Sequence, residues 1–195
     1  MKGHYLIISR AEVDWKKSVQ LKYDMYANTY DILYREEQWG KYSSIKPLIR
    51  PNARILLDAG CATGLLYEYL LQVTPSSLHT YIGVDISLEM VKKAKLKFTM
   101  DPKVDFINAD AEYMPLKDNS IDVALSITVF NNLYDVERGL RELLRVVRHD
   151  GIVVVTIFKR DENTPLMVRK LKDKLRLIES ESKDYILVYN GKANN

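Results

Sequence analysis

The chain has 195 residues, 47% hydrophobic and 28% charged, with a formal net charge of +3. That length suits one domain, 1–195, able to bury a full core without staples, and the mix is that of a soluble globular protein. One cysteine, Cys61, excludes an internal disulfide and a thiolate zinc cluster, and the three histidines (His4, His79, His149) show no ligand spacing, so no metal is expected. Apolar runs such as 152–158 are far too short to cross a bilayer. The apolar stretch after Met1-Lys2-Gly3-His4 soon meets Arg10 and Glu12, so no membrane or signal peptide is expected and cytoplasm is the default. Mild basicity is compatible with nucleic acid without arguing for it.

In chain order, 14–49 reads as helical, rich in Tyr, Leu and charge, with no proline before Pro47 and Gly40 the only breaker ahead of it. The rhythm then changes. Arg54-Ile-Leu-Leu-Asp58 reads as a buried strand, followed by a helix over 65–73. Tyr81-Ile-Gly-Val-Asp85 is a second strand and 87–98 a helix, with Ser87 placed to cap it and Met90, Val91, Ala94 and Phe98 on its apolar face. Strands are expected at 104–108 and 121–126, and a helix at 136–147. His149-Asp150-Gly151 is expected to turn the chain into a strong strand at 152–158. A helix over 165–175 and weak strands at 177–180 and 185–189 complete the pattern. Alternating strands and helices predict an α/β domain with a mostly parallel sheet, residues 1–50 forming an N-terminal helical lid and 51–195 the core.

Such sheets bind ligands at the carboxyl ends of their strands. At the first end lies Asp58-Ala-Gly60-Cys61-Ala62-Thr-Gly64, where glycines permit positive φ and close approach of a ligand. At the second stands Asp85, and at the third Asn108-Ala-Asp110-Ala111. Each feature alone is commonplace: a tight connection, a helix cap. Three at successive strand ends form a pattern.

The run Asp58-x-Gly60-x-Ala62-x-Gly64 resembles the first motif of class I S-adenosylmethionine-dependent methyltransferases, usually Asp/Glu-x-Gly-x-Gly-x-Gly. Asp85 is similar to that family's ribose-binding acid and Asp110-Ala111 to its adenine-binding pair. The stretch 109–122 and the turn Arg145-Val-Val-Arg-His-Asp-Gly151 follow the family pattern. So does Tyr23-Asp24-x-x-Ala27-x-x-Tyr30-Asp31, which resembles the ubiquinone-biosynthesis-like, type 11 branch. The match covers about 23–158. It implies a Rossmann-like, doubly wound, seven-stranded mostly parallel sheet with helices on both faces. Ala62 departs from the usual glycine, a change tolerable if φ there is negative.

A dinucleotide fingerprint needs a third glycine at 65, where Leu65 stands, and a P-loop needs a Gly-Lys-Ser/Thr that is absent. An oxidoreductase with a degenerate dinucleotide site is the weakest alternative.

The resemblance implies S-adenosyl-L-methionine as cofactor. Gly60, Cys61, Ala62 and Gly64 would cradle the methionine portion, with Asp58 and the Ser126 carbonyl reaching its ammonium. Asp85 would take the ribose, Ile86 and Ala111 the adenine ring, and Asp110 the adenine amino group, with Tyr30 and Tyr23 closing the pocket. No general base is visible, so no catalytic residue is named, and a non-catalytic scaffolding subunit is the alternative to an active enzyme. The acceptor is open. No Asn/Asp-Pro-Pro-Tyr follows the fourth strand, and Asn131 and Asn132 read more readily as caps. The Tyr26, Tyr30, Tyr34 spacing reads as core and lid packing before it reads as a base-stacking platform. The basic residues of the last helix (Arg169, Lys170, Lys172, Lys174, Arg176) read first as a solvated face. Few lid insertions favour an RNA or protein acceptor slightly over a small molecule. The third strand is expected at the sheet edge, where a small activator subunit could pair.

Overall fold

The computed structural model describes residues 8–73 and 79–191; His4 and the first seven positions lie outside them. Seven strands, β1 (Ile55–Ala59), β2 (Thr80–Asp85), β3 (Val104–Asn108), β4 (Ile121–Ile127), β5 (Val147–Phe158), β6 (Arg176–Ile178) and β7 (Asp184–Asn190), lie in the order β3-β2-β1-β4-β5-β7-β6. From β3 to β5 every pair is parallel, and β7 runs antiparallel to both its neighbours. The expected Rossmann-like sheet is therefore present.

The helices are α1 (Arg10–Tyr26), α2 (Tyr30–Ile45), α3 (Leu65–Val73), α4 (Leu88–Lys97), α5 (Val136–Val146) and α6 (Thr164–Leu171). Alternate strand residues feed two cores. Leu56, Val123 and Val154 pack with Ile45, Leu65 and Val91 from α2, α3 and α4. Leu57, Ala124, Val153 and Val155 pack on the other face with Leu140, Leu143 and Leu171 from α5 and α6. Burial on both faces explains the near-continuous apolar runs of β4 and β5.

The larger departures from expectation lie at the N-terminal helices, at 149–151 and at the last helix. The N-terminal helical stretch is two helices, starting earlier, at Arg10, where Ser9 caps by accepting from the Glu12 amide at 3.1 Å. It breaks at Ala27, Asn28 and Thr29, and Ala27 drops into contact with Ala62 and Met90. The expected turn at 149–151 is an irregularity inside a longer β5, between the pairs Ile121↔Val147 and Val123↔Ile152. The last helix ends at Leu171, and turns carry Leu175 into the core, 1% exposed. The basic residues 169, 170, 172, 174 and 176 are exposed, as a solvated face requires.

Among the described residues no helix is long and apolar enough to cross a membrane, and no cluster of His, Cys, Asp and Glu is suited to a metal ion.

Candidate functional site

β1 sits where strand order reverses, flanked by β2 on one side and β4 on the other, the place where open α/β sheets leave a crevice. The chain leaving β1 is left-handed at three positions: Gly60 (φ +91°), Ala62 (φ +46°) and Gly64 (φ +78°). A Cβ at Gly60 would come within 2.1 Å of Val129 Cγ2, and one at Gly64 within 3.0 Å of the Phe106 and Phe98 rings. Both glycines are required by packing as well as by backbone conformation. At Ala62 the condition of negative φ is not met. The alanine occupies the left-handed region, which costs about 1–2 kcal/mol for a residue with a Cβ. Its amide donates to Asp85 Oδ2 at 2.8 Å, which helps hold it there.

Beside this turn opens a cavity of about 720 Å³, a size typical of small-molecule sites. Eight of the expected residues lie on its wall: Gly60, Ala62, Asp85, Ile86, Asp110, Ala111, Tyr23 and Tyr30. Asp85 accepts from the Ser87 amide on Oδ1 at 2.9 Å and from Ala62 on Oδ2, leaving lone pairs on both oxygens. Burial pushes its carboxyl up to about 6, with those two amides pulling the other way. Asp110 Oδ1 accepts from the Glu112 amide at 2.8 Å, while the Ala111 amide makes no hydrogen bond among the described residues.

The other four expected residues are not on that wall. Asp58 is 3% exposed and accepts from the Tyr81 hydroxyl; burial pushes its carboxyl up to about 7, against the pull of that hydrogen bond. Cys61 is buried, its Sγ 2.8 Å from where a Gly83 Cβ would stand, so it fills the sheet face. Gly64 packs under the phenylalanines. Ser126 is buried, its hydroxyl donating to the Ala59 carbonyl at 3.0 Å. The Gly60 and Cys61 amides are themselves taken by the Val84 carbonyl, at 2.7 and 3.0 Å.

Sequence reasoning missed two ionic clusters. Lys16 on α1 bonds Glu12 (2.7 Å) and Asp110 (2.6 Å) and lies 3.5 Å from Glu112, with Arg138 of α5 also on Glu12 and Glu112. Trp15 Nε1 donates to the Asn132 carbonyl at 2.9 Å and Asn132 Nδ2 to the Tyr23 hydroxyl at 3.1 Å. Together these pin α1 over the cavity. At its other end Lys41, 4% exposed, lies 3.3 Å from Asp184 and 3.1 Å from Glu37, and donates to Thr128 Oγ1 at 2.9 Å. Thr128 is left-handed (φ +59°), an outlier for a β-branched residue, and its hydroxyl donates to Asp184 at 2.5 Å. The Ser9-x-x-Glu12 cap and the i, i+4 pairs Glu12/Lys16 and Glu37/Lys41 were the available sequence signals; none named the long-range partners.

A family model described as a methyltransferase domain matches residues 57–155, just over half of the chain. The chain belongs to the class I S-adenosylmethionine-dependent methyltransferases. The chain is 37% identical over 147 residues to the uncharacterized protein MJ1252 of Methanocaldococcus jannaschii, covering 73% of this chain and 52% of that one. It is 33% identical to the ubiquinone/menaquinone biosynthesis C-methyltransferase UbiE of Geotalea daltonii, covering 73% and 63%. It is 31% identical to a tRNA (carboxymethyluridine(34)-5-O)-methyltransferase of Arabidopsis thaliana, covering 79% and 36%. The chain thus spans between about a third and two thirds of these relatives' length. Its fold is shared, at 16% identity and a TM-score of 0.70, with a structure described as a complex between the Haloferax volcanii Trm112 methyltransferase activator and the putative methyltransferase, covering 88% of this chain and 98% of that one.

The residues present fit the family's cofactor. Two carboxylates, Asp85 and Asp110, and one unused amide, Ala111, face a single cavity at successive strand ends, an acceptor and donor set suited to a sugar and a purine.

Proposed function

We propose that this chain transfers a methyl group from S-adenosylmethionine to a polar acceptor on RNA or protein. The observation that carries the reading is the convergence of Asp85, Ile86, Asp110 and Ala111 on one cavity beside the left-handed turn at 60–64. Asp85 would hold the ribose hydroxyls and Asp110 with the Ala111 amide the adenine edge, Ile86 packing on the ring. Tyr30 and Tyr23, on the lid helices, would exclude water. Asp58 would act through Tyr81 and the β1 terminus rather than by direct contact. The bound cofactor supplies an already activated methyl group on its sulfonium. The protein is therefore left to align the acceptor in line with that methyl and keep the site dry.

A general base is needed only for an acceptor that must lose a proton first, and neither described histidine lines the cavity. A non-catalytic scaffold is the competing reading. The cavity continues past the cofactor end to Glu37, Gln38 and Lys41, room that a scaffold does not need and an acceptor does. Isothermal titration with S-adenosylhomocysteine tests the cofactor half, with Asp85→Ala expected to weaken binding at least about tenfold. Incubation with methyl-labelled cofactor and fractionated cell extract tests transfer; a folded, cofactor-binding chain that labels nothing would favour the scaffold.

A small activator subunit at the β3 edge is a second reading, favoured by the activator-bound neighbour and by the terminal place of β3 in the sheet. Leu96 and Met100 beside it are 76% and 91% exposed. Asp105 Oδ1 accepts from the Phe106 amide at 2.8 Å, so a pairing strand must first displace that carboxylate. Asp105→Ala should therefore strengthen capture of such an activator, and a chain monomeric and active alone would count against the partner.

A further inference from the structure

α2 presents one stripe to the cavity: Tyr30, Tyr34, Glu37, Gln38 and Lys41, the i, i+4, i+7, i+8, i+11 positions of a single helix face. Tyr30 covers the cofactor end. The rest of the stripe runs on to the ends of β4 and β5, where Thr128, Asn131 and Phe158 complete the wall.

Nearly every polar group at that far end is already engaged. Lys41 is held by Glu37, Asp184 and Thr128, and Glu37 by Lys41 and Lys183. Asn131 Oδ1 accepts from the Phe158 amide at 3.0 Å, and its Nδ2 reaches Thr164 Oγ1 at 3.5 Å. Gln38 stands apart. It is 7% exposed and lines the cavity, yet its side-chain amide makes no hydrogen bond among the described residues and is not sealed away from the cavity. Solvent in the cavity reaches that amide, so its donor and acceptor stand free for a ligand to take. Its placement makes sense where an incoming ligand supplies the partners.

We infer that Gln38 is the acceptor-recognising residue of this cavity, its amide reading the adjacent donor and acceptor atoms of a nucleobase in RNA. The inference rests on the methyl-transfer reading of the same cavity. A carboxylate or phosphate acceptor would find no uncommitted cation there, because Lys41 has three partners. An apolar acceptor would bury the Gln38 amide unmatched. A base edge satisfies both atoms of the amide at once, the bidentate geometry glutamine uses with purines. The rings of Tyr34 and Phe158 on the same stretch of wall offer faces for a planar heterocycle. Outside, Lys22 stands exposed at the rim, and α6, whose Thr164 hydroxyl donates to the Phe158 carbonyl at 2.6 Å, carries the exposed basic residues that a phosphate backbone needs.

The test uses the full chain with methyl-tritiated S-adenosylmethionine and bulk tRNA and rRNA, digested to nucleosides, beside protein and small-molecule fractions. The expected result is label in the base of one nucleoside. Gln38→Leu should lower kcat/KM for that RNA at least about tenfold while S-adenosylhomocysteine affinity stays within about twofold and the melting temperature does not fall. Gln38→Glu, which keeps an acceptor and loses the donor, should be impaired more than Gln38→Asn. No binding of S-adenosylhomocysteine by the wild type would sink the methyl-transfer reading itself. Cofactor binding with label confined to protein or small molecules, or with no label anywhere, overturns the nucleobase. Label in RNA undiminished by Gln38→Leu overturns the role of Gln38.

Discussion

The backbone amide of Ala62 donates to Asp85 Oδ2 at 2.8 Å. The residue that replaces the usual glycine therefore orients the acid at the end of β2, and does so from a left-handed backbone. Ala62→Gly removes the Cβ penalty at φ +46°. It should stabilise the fold by about 1 kcal/mol net of the extra freedom glycine brings to the unfolded chain. Thermal denaturation should show a rise of about 2–4 °C for a chain of this size, with S-adenosylhomocysteine affinity unchanged or tighter. A fall would mean the alanine methyl packs against Ala27 and Met90 more usefully than the strain costs.

Gly60→Ala is the opposite case. Its Cβ would lie 2.1 Å from Val129 Cγ2 at φ +91°, so clash and strain act together, and a loss of about 2 kcal/mol or more is expected. Denaturant midpoints would measure it, and cofactor binding should weaken in parallel because the turn at 60–64 must shift.

Cofactor affinity should depend on pH in one direction. Asp85 is held up to about 6 by burial, and ribose hydroxyls donating to it favour its ionised form. Binding should therefore weaken up to tenfold per unit as pH falls below about 6 and level off above. The stability of the free protein runs the other way. Asp58 and Asp85 have raised values, so their contribution is full below the unfolded value of 3.8 and is lost as pH rises through about 6 and 7. Titration calorimetry across pH 5–8, with Asp85→Asn flattening the profile near 6, separates the two effects.

Lys41→Ala should leave Asp184, 0% exposed, without its cation. Removing one partner of a buried pair costs about 3–5 kcal/mol. Double substitution with Asp184→Asn should recover part of it, as a double-mutant cycle would show. An equal loss in both variants would place the damage in packing rather than charge.

Lys16→Ala should release α1 without melting the sheet. It removes the cation shared by Glu12, Asp110 and Glu112. Amide hydrogen exchange should quicken along α1 while β1, β4 and β5 stay protected. Exchange faster throughout the molecule would contradict a local latch.

Much of the fold was legible. The helices at 65–73 and 88–97 and the strand at 104–108 fall where periodicity and the Ser87 cap put them. That Asp85 and Asp110 would face one cavity was legible because strand ends in a parallel sheet converge. Gln38 and Lys41 were not, because one face of α2 looks like any other until β4 and β5 are set opposite it. The Tyr30–Tyr34 ring pair, 4.9 Å between centroids, was read as packing; the same stripe runs on as cavity wall.

The order of apolar and polar residues alone determined the number of strands, their mostly parallel arrangement and the three strand ends that gather around one cavity, since burial on two faces admits few other patterns. The tertiary structure decided which side chains those ends present. Asp58 turns inward to Tyr81, Asp110 is claimed by Lys16 from a helix 94 positions earlier in the chain, and Ala62 takes a backbone its side chain disfavours. Each depends on contacts between segments remote in sequence, whose energies no local pattern encodes.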